Sequence, residues 1–157
     1  DELATSNLIV TPHALQAKPH DCLALTGGSI GQGLPLAIGA SIAKPNRPVI
    51  TLHGDGGAMY TVQALWTQAR ENLNITNIIF SNRSYEILKI ELDRVQAIET
   101  GERAASMFSM DNPPIDWVNL AESMGVQGYK PKTVKEFKDV FSKSVNESGP
   151  SLIEIEI

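Results

Sequence analysis

This chain of 157 residues has one cysteine, Cys22, and no long apolar run. A single cysteine excludes an internal disulfide, and with His13, His20 and His53 it gives no zinc-type ligand spacing. No apolar stretch approaches the roughly 20 residues that a membrane-spanning helix needs, and no signal peptide is visible. The net charge is −5 and basic residues form no cluster, which argues against nucleic acid as a partner. We expect a cytoplasmic protein that binds neither membrane nor nucleic acid.

Two common phosphate-binding motifs are also absent. No Gly-Lys-Ser/Thr follows a glycine loop, so the Walker pattern is excluded. Gly31-Gln32-Gly33 is not followed by a glycine three residues later, so the dinucleotide fingerprint is incomplete. With 42% hydrophobic residues, the chain is long enough to bury one domain core. Because it does not begin with methionine, we expect residues 1–157 to be a single domain from the C-terminal part of a longer, multidomain enzyme.

An acidic glycine turn and a later asparagine each follow a short apolar run. Residues 48–52 and 76–80 are apolar and β-branched, and a helical pattern over 61–72 separates them, which predicts a βαβ unit. The parallel strands of such a unit bring their carboxyl ends to one edge of the sheet. Asp55 and Asn82 follow these ends, so they can converge although they are far apart in sequence.

Oxygen atoms from these two side chains are suitable ligands for Mg²⁺, which completes its octahedral shell with phosphate oxygens and water. Gly56, Gly57 and Ala58 open the next predicted helix, where backbone N–H groups favour a phosphate. The alternative is an ordinary strand-to-helix turn in which Asp55 caps the helix. The pattern indicates either a magnesium-bound, phosphorylated cofactor or a capped turn.

A second motif precedes the first, over Gly31-Gln32-Gly33-Leu34-Pro35-Leu36-Ala37-Ile38-Gly39-Ala40. Together with Gly54-Asp55-Gly56 and Asn82, it resembles the thiamine diphosphate-dependent enzymes of the acetolactate synthase, benzoylformate decarboxylase and pyruvate decarboxylase group. The resemblance covers nearly the whole chain, and both motifs stand in the family's order and spacing. It implies a thiamine diphosphate-binding fold in an acetolactate synthase-like 2-oxo acid decarboxylase or carboligase.

The resemblance implies a role for each matching position. Mg²⁺ would bind the side chains of Asp55 and Asn82 and the backbone carbonyl of Ser84. The carbonyl of Gly28 would accept the cofactor's aminopyrimidine amino group. Ile30 would hold the cofactor bent, so that its own imino nitrogen reaches the thiazolium C2. The other implied cofactor-binding positions are Ser29, Gly54, Gly56, Gly57, Ala58, Tyr85, Glu86 and Ile87.

In the resembled family the catalytic glutamate lies in a separate domain, usually across a subunit interface. We expect nothing in this chain to supply it, because Asp1, Glu2 and the surface glutamates are interpreted as solvated charges. The resemblance therefore implies a partner pyrimidine-binding domain, a homodimer or homotetramer, and an inactive isolated chain. A non-catalytic cofactor-binding or assembly module is one alternative, and a plain core position for Ile30 is another.

The substrate is less defined than the cofactor. Ile30 stands where true synthases usually carry methionine, residues 87–92 replace a Gln-Trp-Gln-like run, and Tyr85 resembles the decarboxylase branch. These differences leave the 2-oxo acid open, and FAD, which other domains of the full enzyme could bind, is not indicated here. We expect residues between 86 and 110 to line the substrate pocket. Residues 93–114 carry weak periodicity, typical of a mobile active-site segment or a solvated loop.

A rival enzyme class is suggested by Gly27-Gly28-Ser29-Ile30-Gly31, which matches the nucleophile elbow of serine hydrolases. Those hydrolases need an acid and then a histidine after the serine. His53 is the only histidine after Ser29, and no Asp or Glu lies between them. The triad order fails, so a hydrolase is the weakest alternative.

The remaining pattern predicts a doubly wound α/β fold, with a mainly parallel sheet and helices on both faces. Alternation of Leu and Ile with Glu in 151–157 predicts an edge strand with one exposed face. The further predicted helices are 33–43, 85–92, 116–124 and 133–145, the last with Thr133 and Glu136 in capping-box spacing. Residues 126–129 are predicted to form a short strand, and residues 22–25 a short strand or the approach to one.

Overall fold

The computed structural model describes residues 1–3, 5, 7–95 and 101–157. Within these ranges four strands form one parallel sheet in the order β1-β2-β4-β3. The strands are β1 (Val49–Gly54), β2 (Ile75–Ser81), β3 (Gln127–Tyr129) and β4 (Ser151–Glu156). Val49 pairs with Ile75 and Gly54 with Phe80, so β1 and β2 end at the same edge. The predicted α/β class with a parallel sheet is confirmed.

Helices connect the strands and cover both faces of the sheet. The helix Val134–Asn146, α8, begins as predicted, because Thr133 Oγ1 accepts a hydrogen bond of 3.2 Å from the Glu136 amide. A 3-10 turn, Met59–Thr61, joins α3 (Asp55–Ala58) to α4 (Ala64–Arg70), so the helix predicted over 61–72 begins later and ends earlier than expected. The helices are α1 (Asn7–Ala14), α2 (Gly33–Ala43), α3 (Asp55–Ala58), α4 (Ala64–Arg70), α5 (Glu86–Arg94), α6 (Glu102–Ser106), α7 (Trp117–Ser123) and α8 (Val134–Asn146).

The main core lies between one face of the sheet and helices α2, α4 and α7. Leu65 and Trp117 from the helices meet Ile79 and Leu152 from the sheet, and all four side chains are fully buried. Side chains alternate along a strand, so Ile78 lies on the opposite face from Ile79. Helix α8 contacts β2 and β4 and lies outside the main core cluster.

A buried polar network ties the strands together beneath the sheet edge. Asn77 Nδ2 donates hydrogen bonds to Gln68 Oε1 (2.8 Å) and to the Ser151 carbonyl (3.0 Å). Thr51 Oγ1 donates to Asn77 Oδ1 over 3.0 Å. The network joins β1, β2, β4 and α4, and a slipped register would leave buried polar groups without partners. It therefore helps to fix the positions at which β1 and β2 end.

The strand that was one possibility for residues 22–25 does not form. The prediction for β4 was wrong. β4 is not an edge strand, because it lies between β2 and β3 with its first four residues buried. Glu154, expected on an exposed face, is 1% exposed, and its Oε2 lies 3.0 Å from Lys130 Nζ. A carboxylate can lie inside the fold when a cation pairs with it, as Lys130 does with Glu154. The alternation of apolar and acidic residues, typical of an edge strand, therefore occurs here in a central strand.

The stretch 93–114, predicted to be a mobile or solvated segment, contains the end of α5 and the short helix α6. Residues 96–100 of that stretch lie outside the described residues. No helix in the described part of the chain is both long and apolar enough to cross a bilayer.

Candidate functional site

The ends of β1 and β2 lie side by side above a cavity of about 70 Å³. Gly54 ends β1 in an extended conformation, Asp55 begins α3, and Asn82 follows β2. Most of the residues that the sequence singled out meet at this cavity. They are Ile30, Gly54, Asp55, Gly56, Gly57, Asn82, Ser84, Tyr85, Glu86 and Ile87.

Asp55 is a buried carboxylate held by backbone amides. It is 3% exposed, and Oδ1 accepts from the Gly56 amide at 2.9 Å. Oδ2 accepts from the Arg83 amide at 2.7 Å and from Ser81 Oγ at 3.4 Å. Burial raises the pKa of Asp55 above its usual range, although these hydrogen bonds act in the opposite direction. A nearby cation would stabilise the ionised form.

The alternative in which Asp55 is a helix cap does not hold in the structure. Gly54 occupies the cap position, without a side-chain cap hydrogen bond, and Asp55 is the first helical residue. Its carboxylate instead reaches across to the loop after β2, through the Arg83 amide. Asp55 therefore joins the two strand ends.

The loop after β2 is a tight turn. Asn82 Oδ1 accepts from the Ser84 amide at 2.9 Å, and Arg83 has a left-handed backbone with φ of 52°. That conformation costs a residue other than glycine about 1 kcal/mol, so the surrounding contacts must hold it. The Arg83 guanidinium pairs with Glu156 at the end of β4. The turn directs the Arg83 amide toward Asp55.

Residues 108–110 return to this loop and complete one wall of the site. The Tyr85 amide donates to the Phe108 carbonyl at 2.9 Å, and the Met110 amide donates to the Arg83 carbonyl at 2.8 Å. The Tyr85 ring lies against Gly56, where an added Cβ would be 2.8 Å from ring atom Cδ1. Only glycine permits this approach without a shift of the ring.

Glu2 is part of the site, contrary to its interpretation as a solvated charge. It is 3% exposed, and its carboxylate accepts hydrogen bonds from the amides of Gly31 and Gly33. His53 Nδ1 lies 3.3 Å from Glu2 Oε2. Burial raises the pKa of Glu2, but His53 and the two amides outweigh it, so the pKa lies below its usual range. The Glu2 amide donates a hydrogen bond of 2.8 Å to the Leu52 carbonyl, which brings Glu2 alongside β1. No sequence motif signals this contact.

Three predicted positions do not line the cavity. Gly28 and Ser29 are exposed in the preceding turn, where the Gly28 carbonyl accepts from the Ile30 amide at 3.0 Å. Ala58 is buried in the core beneath α3. The predicted cofactor contacts of these three residues stay predictions. The fold also brings in lining residues that sequence reasoning missed. Four of them lie on segments distant along the chain, and Phe80 lies in β2, two residues before Asn82; the four are Glu2, Leu3, Thr5 and Ile157.

The available donors suit a magnesium ion that is shared with a phosphate. One carboxylate, one amide oxygen and one backbone carbonyl come from Asp55, Asn82 and Ser84. In the described residues no group of three or more His, Cys, Asp or Glu could hold a metal. Mg²⁺ would therefore need phosphate oxygens and water to complete its shell. The cavity is far below the roughly 300–1,000 Å³ of whole small-molecule sites, so it is too small to enclose a whole cofactor.

Comparison with known proteins agrees with the geometry. Residues 5–155 match the family described as thiamine pyrophosphate enzyme, C-terminal TPP binding domain. The chain is 44% identical over 156 residues to the "Putative acetolactate synthase large subunit IlvX" of Mycobacterium tuberculosis, covering 99% of this chain and 30% of that protein.

Two solved structures are also similar. The thiamine diphosphate-dependent 4-hydroxybenzoylformate decarboxylase of Rhodococcus jostii RHA1 is 35% identical with a TM-score of 0.75, covering 85% of this chain and 24% of that one. The benzoylformate decarboxylase of Polynucleobacter necessarius is 26% identical with a TM-score of 0.82, covering 99% and 29%. This chain spans less than a third of each of the three proteins. The serine hydrolase and the purely non-catalytic module are not favoured.

Proposed function

Since the chain belongs to the C-terminal, thiamine pyrophosphate-binding domain family of thiamine pyrophosphate enzymes, we propose that it holds the diphosphate end of this cofactor, through Mg²⁺, in a 2-oxo acid decarboxylase or carboligase. The observation that carries the proposal is the position of Asp55. A buried carboxylate lies beside the Asn82 loop at the ends of two adjacent parallel strands. Open α/β sheets bind ligands at such an edge.

In this proposal Mg²⁺ binds the side chains of Asp55 and Asn82 and the carbonyl of Ser84. The diphosphate lies along the opening of α3 and the start of α5, where backbone amides lie close together and glycine leaves room. Those amides belong to Gly56, Gly57, Ala58, Glu86 and Ile87, and Gly54 and Tyr85 border them.

Ile30 is proposed to support the bent cofactor on its other side, with Gly28 and Ser29 next to the aminopyrimidine. An ideal Cβ on Gly57 would lie 3.8 Å from Ile30 Cβ, so the apolar side chain and the proposed diphosphate site are close together. The bound cofactor supplies the electron sink for cleaving the bond next to the carbonyl of a 2-oxo acid. Ile30 supports the bent shape of the cofactor, and Asp55 and Asn82 anchor its diphosphate through Mg²⁺.

The rest of the site is proposed to come from a pyrimidine-binding domain, in the same or a neighbouring subunit of a cytoplasmic homodimer or homotetramer. Two observations support this: the small volume of the cavity and the coverage of less than a third of each similar protein. That domain would supply the acid for proton transfer. The isolated chain, lacking it, should release no carbon dioxide from pyruvate above background, and robust decarboxylation by the isolated chain would contradict this division.

Calorimetry on the full-length enzyme tests the anchor. Thiamine diphosphate should bind with Mg²⁺ present and lose nearly all affinity in EDTA, because diphosphate and a single buried carboxylate repel one another without the ion. Undiminished binding in EDTA would exclude the magnesium site. A product assay with several 2-oxo acids, pyruvate and benzoylformate among them, then separates a carboligase, which is a transferase, from a lyase.

A further inference from the structure

Glu2 and His53 form a buried pair to which the proposed function gives no role. Glu2 is 3% exposed and His53 is 1% exposed, and Glu2 Oε2 lies 3.3 Å from His53 Nδ1. Burying a carboxylate is costly unless it is paired and hydrogen-bonded. Specific contacts therefore stabilise the buried pair. Those contacts show which backbone segment Glu2 holds in place.

The carboxylate of Glu2 binds the loop on the C-terminal side of Ile30. Oε1 accepts from the Gly31 amide, and Oε2 accepts from the Gly33 amide at 2.6 Å. Gly33 is the first residue of α2, and the cap residue Gln32 makes no side-chain cap hydrogen bond. Glu2, although distant in the sequence, thus accepts the hydrogen bond of an amide in the first turn of α2 that has no partner within the helix. Its negative charge also lies at the positive end of the helix dipole.

The same loop is fixed from the opposite side by the turn after α3. Thr61 Oγ1 donates to the Gly31 carbonyl at 2.6 Å, and an added Cβ on Gly31 would lie 2.5 Å from Tyr60 Cβ. An added Cβ on Gly33 would lie 2.6 Å from Glu2 Oε2. The loop is therefore confined between Glu2 and Tyr60, and Ile30 immediately precedes it.

We infer that Glu2, supported by His53, is a positioning residue for Ile30. Its carboxylate fixes the Gly31–Gly33 backbone and so sets where the Ile30 side chain stands in the cavity. The inference rests on the proposed function, in which Ile30 supports the bent cofactor. Glu2 contacts the loop backbone and acts through Ile30.

A direct proton-transfer role for Glu2 is not supported by its surroundings. Both carboxylate oxygens face backbone amides, and Oε2 also faces His53. These contacts outweigh burial and lower the pKa of Glu2, so it stays ionised at neutral pH. An acid that donates a proton near neutral pH needs a raised pKa.

The first test measures amide hydrogen exchange of residues 28–33 in the full-length enzyme without cofactor. In Glu2→Gln one amide of the loop loses its acceptor, and exchange should be about tenfold faster, the factor expected for one lost hydrogen bond. The matched control is Glu122→Gln, an exposed carboxylate on α7, which should leave exchange in 28–33 unchanged. Unchanged exchange in Glu2→Gln would overturn the inference.

The second test is a double-mutant cycle with Ile30→Ala on the loaded enzyme. Glu2→Gln alone should lower kcat about tenfold while the Kd for thiamine diphosphate changes by less than about threefold, because the diphosphate anchor is untouched. On the Ile30→Ala background it should have almost no further effect, since both changes remove the same support. Additive losses in kcat would show that Glu2 does not act through Ile30.

Two other causes of a negative result, a variant that does not fold and a wrong proposed function, can be distinguished from failure of this inference. If Glu2→Gln does not fold, His53→Gln replaces it, because that variant keeps the carboxylate and its two amides. It should speed exchange in 28–33 about threefold, from a weakened contact, and unchanged exchange would again overturn the inference. If the wild-type enzyme binds no thiamine diphosphate, the proposed function fails, whereas the exchange result still reports whether Glu2 anchors the loop.

Discussion

The strand ends and the segment that follows them differ in how firmly the structure holds them. At the strand ends Asp55, Gly56 and Ser81 are buried, and the Asp55 carboxylate hydrogen-bonds to the loop after β2. In the segment 86–110, by contrast, none of the described residues is buried. Its apolar side chains include Leu88, 47% exposed, and Met107, 73% exposed.

The difference fits two requirements at one edge of the sheet, a rigid anchor and a segment that can open. An anchor for a metal and a phosphate needs oxygens and amides at fixed positions, which hydrogen-bonded strand ends provide. A segment with few buried contacts opens locally at low cost. We predicted residues 86–110 to line the substrate pocket, and this stays a prediction.

The largest difference is expected between Asp55→Ala and Asp93→Ala, an exposed aspartate on α5. Asp55→Ala should weaken thiamine diphosphate binding by at least about 100-fold, since removing even an outer partner of a metal ligand costs about 10–100-fold. Asp93→Ala should bind normally. Calorimetry with Mg²⁺ measures both. Asp55→Ala should still fold, which circular dichroism checks, although its loss leaves the Arg83 amide without its acceptor. Undiminished affinity would refute the metal assignment.

A second contrast concerns stability. Ile79→Ala, in the fully buried part of β2, should lower the free energy of unfolding by about 2–5 kcal/mol because it leaves a cavity. Leu88→Ala, on the exposed face of α5, should change it by less than about 0.5 kcal/mol. Denaturant unfolding of the full-length enzyme compares the two. Equal losses of unfolding free energy in the two variants would mean that Leu88 on α5 is packed as tightly as Ile79 in the sheet.

A third contrast separates turnover from binding. Ile30→Ala should lower kcat about tenfold and change the Kd for thiamine diphosphate less, because the diphosphate anchor remains while the support is lost. Ile90→Ala, at a 45% exposed position on α5, should leave the Kd unchanged. Steady-state kinetics and calorimetry give both numbers. A normal rate in Ile30→Ala would return Ile30 to the status of an ordinary apolar residue.

The smallest effect is expected from the ion pairs that hold Arg83. Lys130, with further help from Arg83, lowers the pKa of Glu156 from about 4.5 to about 2, against the opposing effect of burial. A lowered folded pKa means that this contribution to stability is present above pH 4.5 and is lost as the pH falls toward 2. Glu156→Gln should therefore flatten the acid side of a plot of unfolding midpoint against pH. Glu91→Gln on α5 should keep the wild-type slope, and identical slopes for all three proteins would exclude the role of Glu156.

Much of the proposed anchor could be predicted from local patterns. Asp55 and Asn82 follow apolar runs that become parallel strands, and helices α2, α7 and α8 form within one residue of the ranges predicted for them. The predictions for Glu2 and Glu154 failed for a shared reason. Each is a charged residue whose partner lies on a distant segment, so nothing near it in sequence indicates burial.

The sequence by itself determined the βαβ unit, the acid and the amide at its strand ends, and the glycines that open α3. These depend on residue spacing and on the fixed geometry of parallel strands, which are local properties. Only the tertiary structure decided that β4 lies between β2 and β3, and that Glu2 is buried against the loop carrying Ile30. Strand order and charge burial depend on contacts between segments far apart in the chain, and those contacts exist only once the segments pack together.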